Sequence, residues 1–178
     1  MTGPRLVRER GKGLIIAPNH ESWIDPYVVQ LAVLPHQITF LMTELFFDLP
    51  LLGLYFRAAG ASPVREDGPS VSALRAAREA LEQGKTICLF PEGEITTTGE
   101  MGDFQRGVAR LARRTGAAVL PVRVKGTIDV YSKLQTTPRL RPVSVHLGKT
   151  MHFDDTPDRA GEQRFTDQLR ACIRSLAE

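Results

Sequence analysis

Asn19-His20-Glu21-Ser22-Trp23-Ile24-Asp25 sets a histidine five positions ahead of an aspartate, directly after the apolar run Leu14-Ile15-Ile16-Ala17. A short apolar run bounded by polar residues reads as a buried strand, so the pair falls on the loop that leaves it. Two roles are open to Asp25. Asp25-Pro26 fits a helix start, with Asp25 as N-cap and Pro26 in the first turn, in which case His20 only satisfies a backbone carbonyl. Alternatively the loop turns back and the carboxylate meets one imidazole nitrogen, leaving the other free to take a proton. That second arrangement is the base and orienter of a catalytic triad without its nucleophile. His20 and Asp25 are therefore the candidate catalytic residues.

Other chemistry is poorly provided for. A covalent acyl-enzyme needs a nucleophile elbow, G-x-S-x-G, and Gly60-Ala61-Ser62-Pro63-Val64 lacks the second glycine. Ser22 stands two positions from His20, an awkward separation for a mutual hydrogen bond. His152-Phe153-Asp154-Asp155 holds ligand types but no partner at a recognised spacing, so a solvated turn is expected there and no metal. Cys88 and Cys172 show no metal-ligand spacing and read as buried free thiols. With no signal peptide visible, a reducing cytoplasm is expected.

Around these residues the chain alternates strand and helix signals. Strands are expected at residues 14–17, 38–42, 86–90, 117–125 and 143–147. Helices are expected over 26–34, 67–83, 104–115 and 161–176. In the second helix Asp67 or Ser70 can act as cap, Leu74, Ala77 and Leu81 form an apolar stripe, and Gly84 ends it. The pattern predicts an α/β fold: a single domain over residues 1–178 with a largely parallel central sheet flanked by helices. Active residues of such sheets gather on loops beyond the strand carboxyl ends. The loops around His20, after Phe90 and around Arg65 are the ones expected there.

Composition is that of an ordinary globular chain, 42% hydrophobic and 24% charged, with a net charge of +3. The charge is unevenly placed. Arg5, Arg8, Arg10 and Lys12 crowd the N-terminus, and five basic residues lie between Arg123 and Arg141 against a single acid, Asp129. Such a surface suits an anionic membrane or an acidic substrate, or is simply a solvated face. It lacks the interleaved aromatics of a nucleic-acid surface, so no nucleic acid is expected. Residues 45–56 are strongly apolar but broken by Asp48, Pro50 and Gly53. They read as a core or interfacial segment, too short to span a bilayer.

Four blocks in order resemble the glycerolipid acyltransferase family, which moves a fatty acyl group onto a lysophospholipid or glycerol phosphate. Asn19, His20, Ser22 and Asp25 match N-H-x-S-x-x-D; Gly60-Ala61-Ser62-Pro63-Val64-Arg65 looks like the glycine–arginine block; Phe90-Pro91-Glu92-Gly93 matches F-P-E-G; Val119-Leu120-Pro121-Val122 resembles the proline-bearing strand. The resemblance covers roughly residues 13–127. The third block continues as Glu94-Ile95-Thr96-Thr97-Thr98-Gly99. That run is closest to the acyltransferase part of bacterial 2-acylglycerophosphoethanolamine acyltransferases, with Glu94 where their pattern has arginine.

The resemblance implies transfer from an acyl-CoA or acyl carrier protein thioester to a hydroxyl of a lysophospholipid or 1-acylglycerol-3-phosphate. His20 would be the base and Asp25 its orienter. Arg65 would grip the acceptor phosphate, unless it pairs with Glu66 or Asp67, and Gly93 would let backbone amides approach that phosphate. Glu92 would bond the glycerol hydroxyl or order the loop, and Asn19, Ser22 and Glu94 complete the expected substrate-binding set. Glu94 suggests an acceptor with a cationic ethanolamine. No cofactor is implied beyond the thioester co-substrate. The family usually has a hydrophobic or amphipathic segment before its first block, and 18 residues precede Asn19 here. Peripheral contact with the cytoplasmic face of a membrane is thus expected through apolar surface and basic residues. The alternative is a non-catalytic lipid-binding module on the same fold.

Overall fold

The computed structural model describes residues 13–43, 62–64 and 71–176. Strands β1 (Leu14–Pro18), β2 (Thr39–Thr43), β3 (Ser62–Val64), β4 (Thr86–Cys88), β5 (Ala118–Lys125) and β6 (Ser144–Leu147) form one sheet in the order β3-β2-β4-β1-β5-β6. All pairings are parallel except β5 with β6, which is antiparallel. The helices are α1 (Asp25–Ala32), α2 (Val71–Glu82), α3 (Gly107–Thr115), α4 (Thr127–Tyr131) and α5 (Arg159–Ser175).

β1 is buried along its whole length because it lies between β4 and β5 with both faces covered, which is why it reads as an unbroken apolar run. Alternation then sends its side chains to opposite sides of the sheet. Ile15 and Ala17 join Ile87, Val119, Leu81 of α2, Leu111 of α3 and Phe165 and Leu169 of α5. Leu14 and Ile16 face the other way, onto Val29 of α1, Phe40, Cys88 and Leu120. The α2 stripe lies as its spacing predicts, with Ala77 and Leu81 buried and Leu74 packed on the same cluster. Gly84, at φ +72°, ends the helix: its amide bonds to the Leu81 carbonyl and that of Lys85 to Ala80, both at 2.9 Å.

Several boundaries differ from the sequence reading. α3 begins at Gly107 rather than residue 104, because Phe104 is spent in the core beside Val108 while the Gln105 amide bonds back to the Pro91 carbonyl at 2.8 Å. α5 starts at Arg159, two residues before the expected 161, because Asp158 caps it by accepting from the Gly161 amide at 2.7 Å. The short α4 and β3 carried no helical or strand periodicity and were not expected. Cys88 is a buried free thiol, whereas Cys172 is only half-buried. Asp67, Ser70, Arg65 and residues 45–56 lie outside the described residues, so the cap, the phosphate-grip and the apolar-segment expectations attach to positions not described.

Candidate active site

The parallel strands β4, β1 and β5 are neighbours, so the loops leaving their carboxyl ends meet above the sheet. The loop from β1 carries His20 and Asp25. Asp25 is 0% exposed and does not cap α1; the N-cap is Ile24, with no side-chain capping bond. The carboxylate instead points back into its own loop. Its Oδ2 accepts from the backbone amides of Glu21 (2.6 Å) and Ser22 (2.8 Å) and lies 2.9 Å from His20 Nδ1. Its Oδ1 accepts from the Thr127 hydroxyl at 2.5 Å. A buried carboxylate with this many partners is held in one orientation. The imidazole tautomer that satisfies it carries the proton on Nδ1, which leaves the Nε2 lone pair for a substrate.

The ring plane is set from the β4 side. Phe90 stacks on His20 with centroids 3.8 Å apart and planes inclined by 19°. Glu92, buried, joins the two loops: Oε1 accepts from the His20 amide and Oε2 from the Gly102 amide, each at 2.8 Å. The Thr96 amide adds a bond to the His20 carbonyl at 3.0 Å. Glu92 thus ties the His20 loop to the loop after β4. Gly93 takes φ +78°, a turn conformation glycine adopts without cost, and is exposed beside the site. Glu94 is exposed next to it.

Asn19 and Ser22, expected among the substrate ligands, are buried and spend their side chains on the protein itself. Asn19 acts as an extra rung between β1 and β5: Oδ1 accepts from the Val124 amide at 2.7 Å and Nδ2 donates to the Val124 carbonyl at 3.0 Å. The Ser22 hydroxyl donates to the Tyr131 carbonyl at the end of α4. Each fastens the His20 loop to the β5–α4 connection.

Glu21 was singled out by nothing in the sequence, yet it is buried within the loop. It accepts from Asn19 Nδ2 and from the Gly126 amide, both at 3.1 Å, and lies 3.6 Å from Arg123 Nη2. Burial, reinforced by the nearby Asp25 charge, pushes its pKa up to about 7 despite the opposing pull of Arg123. Arg123, counted among the basic surface residues, in fact turns inward to Glu21 and to Met101 Sδ.

Among the described residues no group of three or more His, Cys, Asp or Glu side chains could hold a metal ion. Asp155 of the His152–Asp155 stretch is engaged by Arg164 at 2.6 and 2.8 Å, which holds its carboxyl low, at about 2. Sequence reading missed Thr127 and Gly126. Thr127 is 102 positions from Asp25, and only the register that sets Pro18 against Val122 brings them together.

A histidine paired with a buried carboxylate thus sits at the carboxyl end of a mostly parallel sheet on an α/β fold. The chain belongs to the acyltransferase family, whose model matches residues 1–125. It is 30% identical over 115 residues to the chloroplastic 1-acyl-sn-glycerol-3-phosphate acyltransferase LPAT1 of Arabidopsis thaliana, covering 64% of this chain and 32% of that one. It is 27% identical over 166 residues to the 1-acyl-sn-glycerol-3-phosphate acyltransferase of Bacillus subtilis, covering 93% and 80%. The chain therefore spans about a third of the plant relative and most of the bacterial one. The fold is shared with the crystal structure of the 1-acyl-sn-glycerophosphate acyltransferase PlsC from Thermotoga maritima, at a TM-score of 0.79 and 24% identity, covering 96% of this chain and 67% of that one. The narrower likeness to 2-acylglycerophosphoethanolamine acyltransferases finds no support in these relatives.

Proposed function

We propose that the chain transfers a fatty acyl group from a thioester, carried on coenzyme A or acyl carrier protein, to the hydroxyl of a 1-acylglycerol-3-phosphate or closely related lysophospholipid. The observation that carries this reading is the 2.9 Å contact between His20 Nδ1 and the buried Asp25 carboxylate, which leaves Nε2 as the base. An alcohol is a weak nucleophile at neutral pH, so its proton must leave as the carbon–oxygen bond forms. In the reaction Nε2 takes the hydroxyl proton while the oxygen attacks the thioester carbonyl. The resulting imidazolium is stabilised by Asp25. As the tetrahedral intermediate collapses, the carbon–sulfur bond breaks and the imidazolium returns the proton to the departing thiolate.

The names of the matched relatives favour a phosphomonoester acceptor. Gly93, exposed beside the His20 loop, is proposed to let the phosphate approach the backbone, and Arg65 remains the side chain proposed to grip it. Glu94, exposed next to Gly93, is proposed to bear on headgroup preference. Among the described residues no helix is long and apolar enough to cross a membrane, and work at the cytoplasmic face by peripheral contact is part of the reading.

Purified protein given both thioester donors and a panel of lysophospholipids tests it. Turnover with 1-acylglycerol-3-phosphate, lost in His20→Ala, is expected. Lysolipid binding without turnover for any donor–acceptor pair would instead make the chain a lipid-binding module. Glu94→Arg in the same panel reads headgroup preference through the ratio of phosphomonoester to ethanolamine acceptor.

A further inference from the structure

The connection after β5 rises from the same end of the sheet as the active site. α4 leaves Lys125 through Gly126, and residues 132–143 then loop out before β6 returns. The loop is anchored at both limbs. The Arg139 amide donates to the Val130 carbonyl at 2.7 Å, and Pro142 presses so closely on Gly126 that a Cβ there would meet its carbonyl oxygen at 2.5 Å. The Ser22 bond to Tyr131 ties this same connection to the His20 loop.

What this anchored loop presents to solvent is unusual. Leu134 is 77% exposed and Leu140 fully exposed, while Trp23, three positions from His20, is 42% exposed. Interleaved with them are the exposed cations Lys133, Arg139 and Arg141. Over residues 125–143 the only acid is Asp129. Of the basic residues that crowd this stretch in the sequence, Arg123 alone is drawn inward, by Glu21. Exposed leucines on a pinned loop, flanked by arginine and lysine, combine apolar area with positive charge. A bilayer with anionic headgroups accepts both, burying the leucines below its headgroups and pairing its phosphates with the cations. A tryptophan beside them suits the headgroup level.

We infer that residues 132–143, together with Trp23, dock this chain onto an anionic lipid bilayer with the His20 face turned toward the membrane. The inference deepens the acyl-transfer reading, on which its purpose rests: a lysolipid acceptor would reach Nε2 from the interface without leaving it. A neutral bilayer offers only half of what the loop is built for, so binding is charge-selective and weakens with added salt.

The experiment is co-sedimentation of the full chain with phosphatidylcholine vesicles and with mixed phosphatidylcholine–phosphatidylglycerol vesicles across a salt series. Wild type is expected in the pellet only with the mixed vesicles, and to be released as salt rises. L134D/L140D and R139E/R141E should each weaken this binding by about 10-fold or more. R114E, the same kind of charge change on the exposed side of α3, should leave it unchanged. Equal melting temperatures keep loss of folding apart from loss of binding. Turnover of a short-chain acceptor below its micellar concentration should be unchanged in L134D/L140D, because the leucines touch no part of the catalytic pair. Equal binding to both vesicles, no binding to either, or binding unaffected by both double variants overturns the proposal. A change of oligomeric state in L134D/L140D with vesicle binding intact also overturns it, and makes the loop a contact between copies. His20→Ala leaves the vesicle result untouched, so inactivity with every donor would refute the acyl-transfer reading while the docking surface stands.

Discussion

Thr127 Oγ1 donates to Asp25 Oδ1 at 2.5 Å across 102 positions of chain, while the other carboxylate oxygen of Asp25 serves His20 Nδ1. The imidazole is therefore oriented from the first residue of α4 as well as from its own loop.

Asp25→Asn removes the charge that stabilises the imidazolium and should lower kcat by roughly 10²–10⁴-fold with the fold retained. Thr127→Val, nearly isosteric, leaves one buried carboxylate oxygen without its donor and should cost about 1–3 kcal/mol in stability. Steady-state kinetics and denaturant melts of both variants check this. Wild-type kcat in Asp25→Asn would remove the aspartate from the mechanism.

Glu92 accepts two amides on two oxygens, His20 N and Gly102 N. Glu92→Gln can keep only one of them, since the amide nitrogen is a donor. The expected result is a lower kcat together with a stability loss of about 1–3 kcal/mol. If Glu92 met the acceptor instead, the substitution would raise KM and leave the melting curve in place.

Gly93→Ala should destabilise by about 1 kcal/mol or more, because φ +78° is strained for any residue with a Cβ. A new Cβ would also meet Gln105 Nε2 at 2.5 Å, but that is the end of a flexible side chain and can move away. Adding Gln105→Ala therefore should not restore stability. Full restoration in the double variant would put the cost in the clash rather than the backbone.

Glu21 yields a pH dependence with a definite sign. Its native pKa, pushed up to about 7 by burial, exceeds that of an exposed glutamate, 4.5. Between those values the native state keeps a proton that the unfolded chain has released. Glu21 thus makes stability fall as pH rises through that window, by up to about 3 kcal/mol. Chemical denaturation from pH 4 to 8 should show this slope in wild type and a flatter one in Glu21→Gln. Parallel profiles for the two proteins would mean that the buried carboxyl titrates normally.

The sheet-and-helix alternation, the α2 stripe and the proximity of His20 to Asp25 were legible in the chain because each depends on short-range spacing. A buried strand needs a run of apolar residues, a helix face needs the 3.6 period, and a loop can fold a carboxylate onto a histidine five positions away. Tertiary structure alone decided what surrounds the pair. Asn19 and Ser22 sit in the same motif as His20 and look like ligands from sequence. The strand register set by β5 instead places the Val124 backbone and the Tyr131 carbonyl against them. Arg123 reads as one more surface cation until Glu21, itself unremarked in the sequence, is found beneath it. Long-range partners of this kind leave no periodic trace, because they are fixed by the pairing of β1 with β5 and not by spacing along the chain.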